Sequence, residues 1–226
     1  MLKREPSNFF RVTTRWTLLS AALGALLFFA AGTLEISSLR NYLLVFWGLL
    51  LATMLAARPD LVEERSHPAE GKRDAGTRLA SGFLFLVTLT AAALDVGRLH
   101  ASDTVPRVIT TASLVTFALA TLIQAWAMAV NPFFSPTVRI QSERGHHLVT
   151  VGPYRVIRHP GYLAMLVSVP ASALAIGSWL ALIPGLTFSG VIARRATIED
   201  EFLKLNLVGY SSYALKVRSR LVPSIW

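Results

Sequence analysis

The sequence predicts an all-α fold, a polytopic membrane helix bundle, on three observations. More than half of the 226 residues are hydrophobic and only 15% are charged, far from the even mix of a soluble domain of this length. Four runs without a charged side chain, Trp16–Leu34, Asn41–Ala57, Leu79–Leu94 and Val108–Val130, are each close to the ~20 apolar residues that carry a helix across a bilayer core of ~30 Å. The cations are also distributed unevenly along the chain, as membrane topology requires.

Each run reads as one spanning helix, which makes residues 1–130 a four-helix transmembrane region. Small residues recur inside the runs, as in Ala21-Ala22-Leu23-Gly24-Ala25, and suit close helix packing where lipid offers no hydrophobic drive. A signal peptide is a competing reading of the basic start and first run, but the run is longer than the usual apolar core of such a peptide. With the N-terminus inside, Lys3, Arg4, Arg11 and Arg15 are cytoplasmic. Five cations between the second and third runs join them, including Arg58, Lys72 and Arg73, with four in the 131–160 loop and six in the tail. The outer loops hold only Arg40, Arg98 and Arg107. The formal charge of +9 is therefore read as a positive-inside bias facing membrane lipids, and nucleic acid is not an expected partner.

Pro160–Ala193 is a further charge-free run, of 34 residues, which as one straight helix would measure about 51 Å. Gly177-Ser178 interrupts its middle, and Pro170 and Pro184 flank that break, so the run is expected to fold back as a helical hairpin. The hairpin returns the six-cation tail to the cytoplasmic side as amphipathic helices, placing both termini inside. It also brings residues 194–206 beside residues 146–162, the two segments richest in chemically capable side chains. A single kinked helix is the alternative.

Gln141–Tyr162 reads QSERGHHLVTVGPYRVIRHPGY, polar and aromatic between two apolar stretches. Gly152-Pro153 and His159-Pro160 break helices, so His159 sits in a rigid extended corner. Arg195 and Glu199 are four apart and share a helix face, either as an ordinary ion pair or as two groups addressing one pocket. Cysteine is absent, which removes disulfides, thiolate catalysis and sulfur-ligated metal. His146, His147 and His159 lack a completing ligand set, so no metal is expected. Asp95 and Arg98, one turn apart, read as an interfacial ion pair. Phe133-Phe134 and the five tryptophans read as interface anchors, and Arg155 and Arg158 as either headgroup anchors or site residues.

The run His146-His147-Leu148-Val149-Thr150-Val151-Gly152-Pro153-Tyr154-Arg155, followed by Arg158-His159-Pro160-Gly161-Tyr162, resembles the donor-binding signature of the isoprenylcysteine carboxyl methyltransferases and their phospholipid methyltransferase relatives. Arg195-Ala196-Thr197-Ile198-Glu199-Asp200 is similar to that family's Arg-x-x-x-Glu-(Glu/Asp) element, and Tyr210, Tyr213 and Arg220-Leu221-Val222-Pro223 resemble its closing pattern. The resemblance covers residues 131–226, and implies a catalytic region made of a donor-binding loop, a membrane hairpin and C-terminal helices. It implies that Gln141, His146, His147, Leu148, Val149, Tyr154, His159, Pro160, Gly161, Tyr162 and Glu199 surround S-adenosylmethionine. Arg195 would face the methyl acceptor, and Arg195 and Glu199 would be the catalytic pair. The pattern differs at Asp200, where the second carboxylate is often Glu, and at Leu205–Val208.

A pocket for S-adenosylmethionine wants an acid for its ammonium, donors for its carboxylate and a π-face for its sulfonium, and this set of residues offers all three. A guanidinium at Arg195 suits an anionic oxygen acceptor, which needs alignment, better than an amine, which must first lose a proton. The expected activity is O-methylation of a lipidic or prenylated carboxylate. The alternatives are N-methylation of phospholipid headgroups, a reductase of the related sterol-reductase fold, and a non-catalytic lipid-binding or scaffold protein.

Overall fold

The computed structural model describes residues 6–56, 61, 64–65 and 74–223. Lys3, Arg4, Arg58, Lys72 and Arg73, which enter the charge asymmetry of the sequence, lie outside the described residues. Among the described residues seven α-helices carry the fold: α1 (Pro6–Ala31), α2 (Ser37–Ala56), α3 (Ala75–Leu94), α4 (Arg107–Val130), α5 (Pro160–Ile176), α6 (Leu182–Asn206) and α7 (Tyr210–Lys216). A π-helical turn, Asp95–Leu99, follows α3.

Three helical stretches, Thr14–Ala31, Ala75–Leu99 and Arg107–Val130, are long and apolar enough to cross a membrane. Among the described residues these account for three of the four runs expected to span before residue 131. The second run also forms a helix, the 20-residue α2, which ends at the last described residue before 57–60. α4 packs most extensively on α5, and α6 packs on both α5 and α3. The core between them holds Leu27, Leu39, Tyr42, Leu43, Leu89 and Ile176, all essentially inaccessible.

The chain does fold back after Pro160. Gly177 ends α5 in the left-handed region (φ 115°), and the amides of Gly177 and Ser178 both donate to the Ala173 carbonyl at 3.1 and 3.0 Å. This is a glycine C-cap: a Cβ there would be strained, and without it the helix turns out of its axis. Pro170 lies inside α5 and has no N–H for the Leu166 carbonyl four residues earlier. Ser189 on α6 supplies the missing donor, its Oγ reaching that carbonyl at 2.7 Å. Gly185 permits this approach, since a Cβ there would stand 3.2 Å from Pro170 Cα.

The turns at one end of the bundle are tied together. Asp95 is fully buried; it accepts from the amides of Ala101 and Ser102 at 2.9 and 3.0 Å, from Ser178 Oγ at 2.6 Å, and from the Ser102 hydroxyl. Arg98 instead donates to the carbonyls of Ala30 and Phe29, closing the end of α1. The Asp95–Arg98 ion pair expected from the sequence is therefore replaced among the described residues, because the π-turn sends the two side chains to different neighbours. Gly97 lies so close to Ala31 that a Cβ would sit 2.2 Å from its carbonyl oxygen. The opposite end collects residues 64–65, 74, the 131–159 loop and the second half of α6. At ~1.5 Å per residue, the 25-residue α6 measures about 37 Å, longer than the bilayer core, and presents Arg195, Glu199 and Asp200 at that end.

Among the described residues the tail continues α6 to Asn206, then forms the short helix α7 and a strap. The strap runs back along the His-Pro corner: the amides of Arg158 and His159 donate to the carbonyls of Ser219 and Arg220 at 3.1 and 2.9 Å.

Candidate active site

The loop between α4 and α5 is held in an irregular path by side chains that satisfy its backbone, which is the condition for non-helical chain near a membrane. The Asn131 side chain caps the Phe133 amide at 2.9 Å and donates to Tyr154 Oη at 3.0 Å. Gln141, buried, donates from Nε2 to the Phe133 carbonyl at 2.8 Å, and its own amide donates to His146 Nδ1 at 3.2 Å. Tyr213 donates to the Tyr154 carbonyl at 2.6 Å. Burial holds the Tyr154 and Tyr213 phenols above their ordinary range.

Asp200 anchors the assembly from α6. Its carboxylate, fully buried, takes Arg158 Nε at 2.7 Å, Arg158 Nη2 at 3.1 Å, Tyr210 Oη at 2.9 Å, Arg220 Nε at 3.0 Å and Lys204 Nζ at 3.0 Å, with His159 Nε2 at 3.2 Å. Burial alone would raise this carboxyl, but the hydrogen bonds from His159 and Arg158 outweigh it and hold the group well below the usual carboxylate range. One side chain thus joins the His-Pro corner, α6, α7 and the strap. Arg158 is accordingly a buried structural cation, whereas Arg155 is exposed.

Around this anchor lies a cavity of about 170 Å³. Among its walls are His146, His147, Leu148, Val149, Tyr154, His159, Gly161, Tyr162, Arg195 and Glu199. Ten of the twelve residues singled out in the sequence therefore converge on one cavity. Gln141 and Pro160 do not line it: Gln141 braces the loop from behind, and Pro160 starts α5. Tyr162 Oη donates to Glu199 Oε2 at 2.5 Å, and the Tyr162 ring stacks on His159 at 5.7 Å. Arg195 lies over the same ring, its guanidinium carbon 5.7 Å from the centroid.

Among the described residues Arg195 pairs with Asp74, 2.6 Å away at the start of α3, and not with Glu199; its Nη2 also donates to the Pro136 carbonyl. The Asp74 oxygens make no aligned hydrogen bond, so the contact is one of charge proximity. Sequence reasoning missed Asp74, because no local pattern links it to α6. It also placed Phe133 and Phe134 at the membrane interface. Phe133 is instead buried and carries both histidines, His146 stacked at 4.4 Å and His147 edge-on at 4.9 Å. Phe134 packs where a Cβ on Gly161 would stand 2.4 Å from its ring, so glycine is required there. Burial, then the adjacent His147 charge, lower His146 to about 4. Glu64 meets this loop through Arg139 at 2.8 Å and Ser135 Oγ at 2.7 Å.

Residues 111–205 match the Isoprenylcysteine carboxyl methyltransferase (ICMT) family. Over this segment, less than half of the chain, the sequence is similar to that family. The segment carries the ten cavity residues from His146 to Glu199, and leaves Asp74, Tyr210, Tyr213 and Arg220 to the rest of the chain. Two curated relatives of the isoprenylcysteine methyltransferase kind, each named "Probable protein-S-isoprenylcysteine O-methyltransferase" and from Oryza sativa subsp. indica and subsp. japonica, are 33% identical over 91 residues. Those matches cover 39% of this chain and 47% of the relative, so the chain spans about half the length of the curated relatives it matches.

Proposed function

We propose that this chain is an integral-membrane methyltransferase that uses S-adenosylmethionine to O-methylate a lipidic or prenylated carboxylate, with both termini on the cytoplasmic side. The observation that carries the reading is a polar cavity, walled by Glu199, Tyr162 and Arg195, adjoining an apolar cavity of about 570 Å³ inside the bundle. The apolar cavity is lined by Phe46, Leu50, Phe85, Phe117, Val169 and Phe188 among others, a surface fit for a hydrocarbon chain. The family match and the names of the two relatives support the same chemistry.

The donor set fits the cofactor. Glu199 has one oxygen engaged by Tyr162 and lines the cavity, so it can accept from an ammonium. The faces of Tyr162 and Tyr154 offer π-density to a sulfonium, an interaction worth about 0.5–2 kcal/mol. His146, kept neutral by burial, and the neighbouring loop amides provide polar contacts. S-adenosylmethionine, when bound, supplies a methyl group on a sulfonium, and a carboxylate acceptor is already a nucleophile at neutral pH. The protein's work is then positioning and water exclusion: Tyr162 fixes Glu199, Asp200 fixes the His159 corner, and Arg195, neutralised by Asp74, sets the wall facing α3.

Radiolabelled S-adenosylmethionine with purified protein and N-acetyl-S-farnesylcysteine tests the reading. Base-labile label in the product is the expected ester; base-stable label in membrane lipids would instead identify an N-methyltransferase. Calorimetry separates both from a scaffold, for which titration of S-adenosylmethionine gives no heat. Glu199→Gln is expected to weaken donor binding about tenfold, one charge-assisted hydrogen bond at ~1.5 kcal/mol, and equal affinity would remove Glu199 from the site.

A further inference from the structure

An O-methyltransferase must hold its acceptor's head group in place, and the residue that does so is inferred here on the premise of that activity. The polar and apolar cavities share three lining residues, Arg65, Gln124 and Met165. Arg65 and Gln124 are the polar ones, and Arg65 comes from the connection between α2 and α3, outside the family-matched segment. Four arginines line the polar cavity. Arg139 pairs with Glu64 and Glu143, Arg158 with Asp200, and Arg195 with Asp74. Among the described residues Arg65 has no carboxylate partner. Its Nη1 reaches the Phe134 carbonyl only at 3.4 Å, and its guanidinium carbon lies 5.5 Å from the Phe134 ring centroid.

Burial, and after it the positive charge of Arg195, press the Arg65 guanidinium below its ordinary pKa, while the Tyr162 phenol acts in the opposite sense. A partly buried guanidinium with a second cation beside it and no counter-charge is stabilised by an anion that comes between them. Arg195 already carries Asp74, so among the described residues the unneutralised charge at the junction is that of Arg65. The planar fork of a guanidinium suits a carboxylate held in two contacts, and the Gln124 amide adds a neutral donor at the same waist.

We propose that Arg65 is the specificity-determining residue for the methyl acceptor: it binds the acceptor's carboxylate at the waist between the two cavities, with the hydrocarbon chain in the apolar cavity. The Arg65 guanidinium repels an ammonium head, so a protonated amine is disfavoured at the same position.

The test uses the purified full chain in detergent, with N-acetyl-S-farnesylcysteine as acceptor and its carboxamide, which has no anionic oxygen, as competitor. The parent is expected to bind the acid at least tenfold more tightly than the carboxamide. Arg65→Gln is expected to keep donor affinity within twofold, raise KM for the acid tenfold or more with a smaller change in kcat, and bind acid and carboxamide about equally. Arg65→Lys, which keeps the charge but not the fork, should restore part of the preference for the acid. A KM within twofold of the parent in Arg65→Gln, or an unchanged acid preference, overturns the assignment. So does loss of donor binding in both variants, since the residue would then be holding the fold. A parent that binds the donor and forms no ester overturns the functional reading itself, and this assignment with it.

Discussion

Asp200→Asn is the substitution whose outcome the structure fixes most tightly. The native carboxylate is inaccessible and receives Arg158, Tyr210, Arg220, Lys204 and His159, so four segments of chain meet at two oxygens. The amide keeps one acceptor and turns an N–H₂ toward guanidinium donors, leaving buried charge on Arg158 without its partner. Removing one member of a buried ionic network costs about 3–5 kcal/mol. For a chain of this size each kcal/mol moves Tm by roughly 2–4 °C, so the variant should melt about 6–20 °C lower. Differential scanning fluorimetry in detergent reads this directly. The pH dependence supplies a second signature. The folded carboxyl lies below its unfolded value of ~3.9, so its contribution is fully present above that value and is lost as pH falls toward the folded one. The gap between parent and variant should therefore be constant above about pH 5 and narrow below about pH 4. A variant melting within 1–2 °C of the parent, with unchanged donor affinity, would refute the role of Asp200 as the anchor of the site.

Named contacts fix two further outcomes. His146 is lowered to about 4, so its unfolded form takes a proton first as pH falls, and it contributes destabilisation between about pH 6.5 and 4; the His146 ring protons should titrate near 4 by NMR, and His146→Gln should flatten that part of the stability profile. Gly97→Ala drives a Cβ to 2.2 Å from the Ala31 carbonyl oxygen and 2.5 Å from Ala31 Cα, both backbone atoms. A loss of about 1–3 kcal/mol is expected from that overpacking, read as lowered Tm; a neutral result would mean α1 and the π-turn do not meet this closely.

Much of the site was legible because the residues that bear chemistry sit in two short runs. The His-Pro corner and the Arg195–Asp200 run each show their capability locally, and the break at Gly177 with Pro170 and Pro184 around it foretold the turn that brings them together. The assignments that moved were those whose outcome depends on distant chain. Phe133 and Phe134 looked like interface anchors because aromatic residues at the end of a span usually are, yet Phe133 lies buried against the histidines and Phe134 packs against Gly161. Asp95 and Arg98 looked like a pair because one turn separates them, yet Ser178 and the end of α1 claim them separately.

The sequence by itself determined that this chain is helical and apolar, that it reverses near Gly177, and that one end collects acid, guanidinium, imidazole and phenol, because hydropathy, glycine and proline act over a few residues. Only the tertiary structure decided which charge meets which: that Asp74 and not Glu199 neutralises Arg195, that Asp200 gathers Arg158, Arg220 and Lys204, and that Arg65 stands between the two cavities. Ion pairing across a bundle is set by distances between segments far apart in the chain, and no local periodicity encodes those distances.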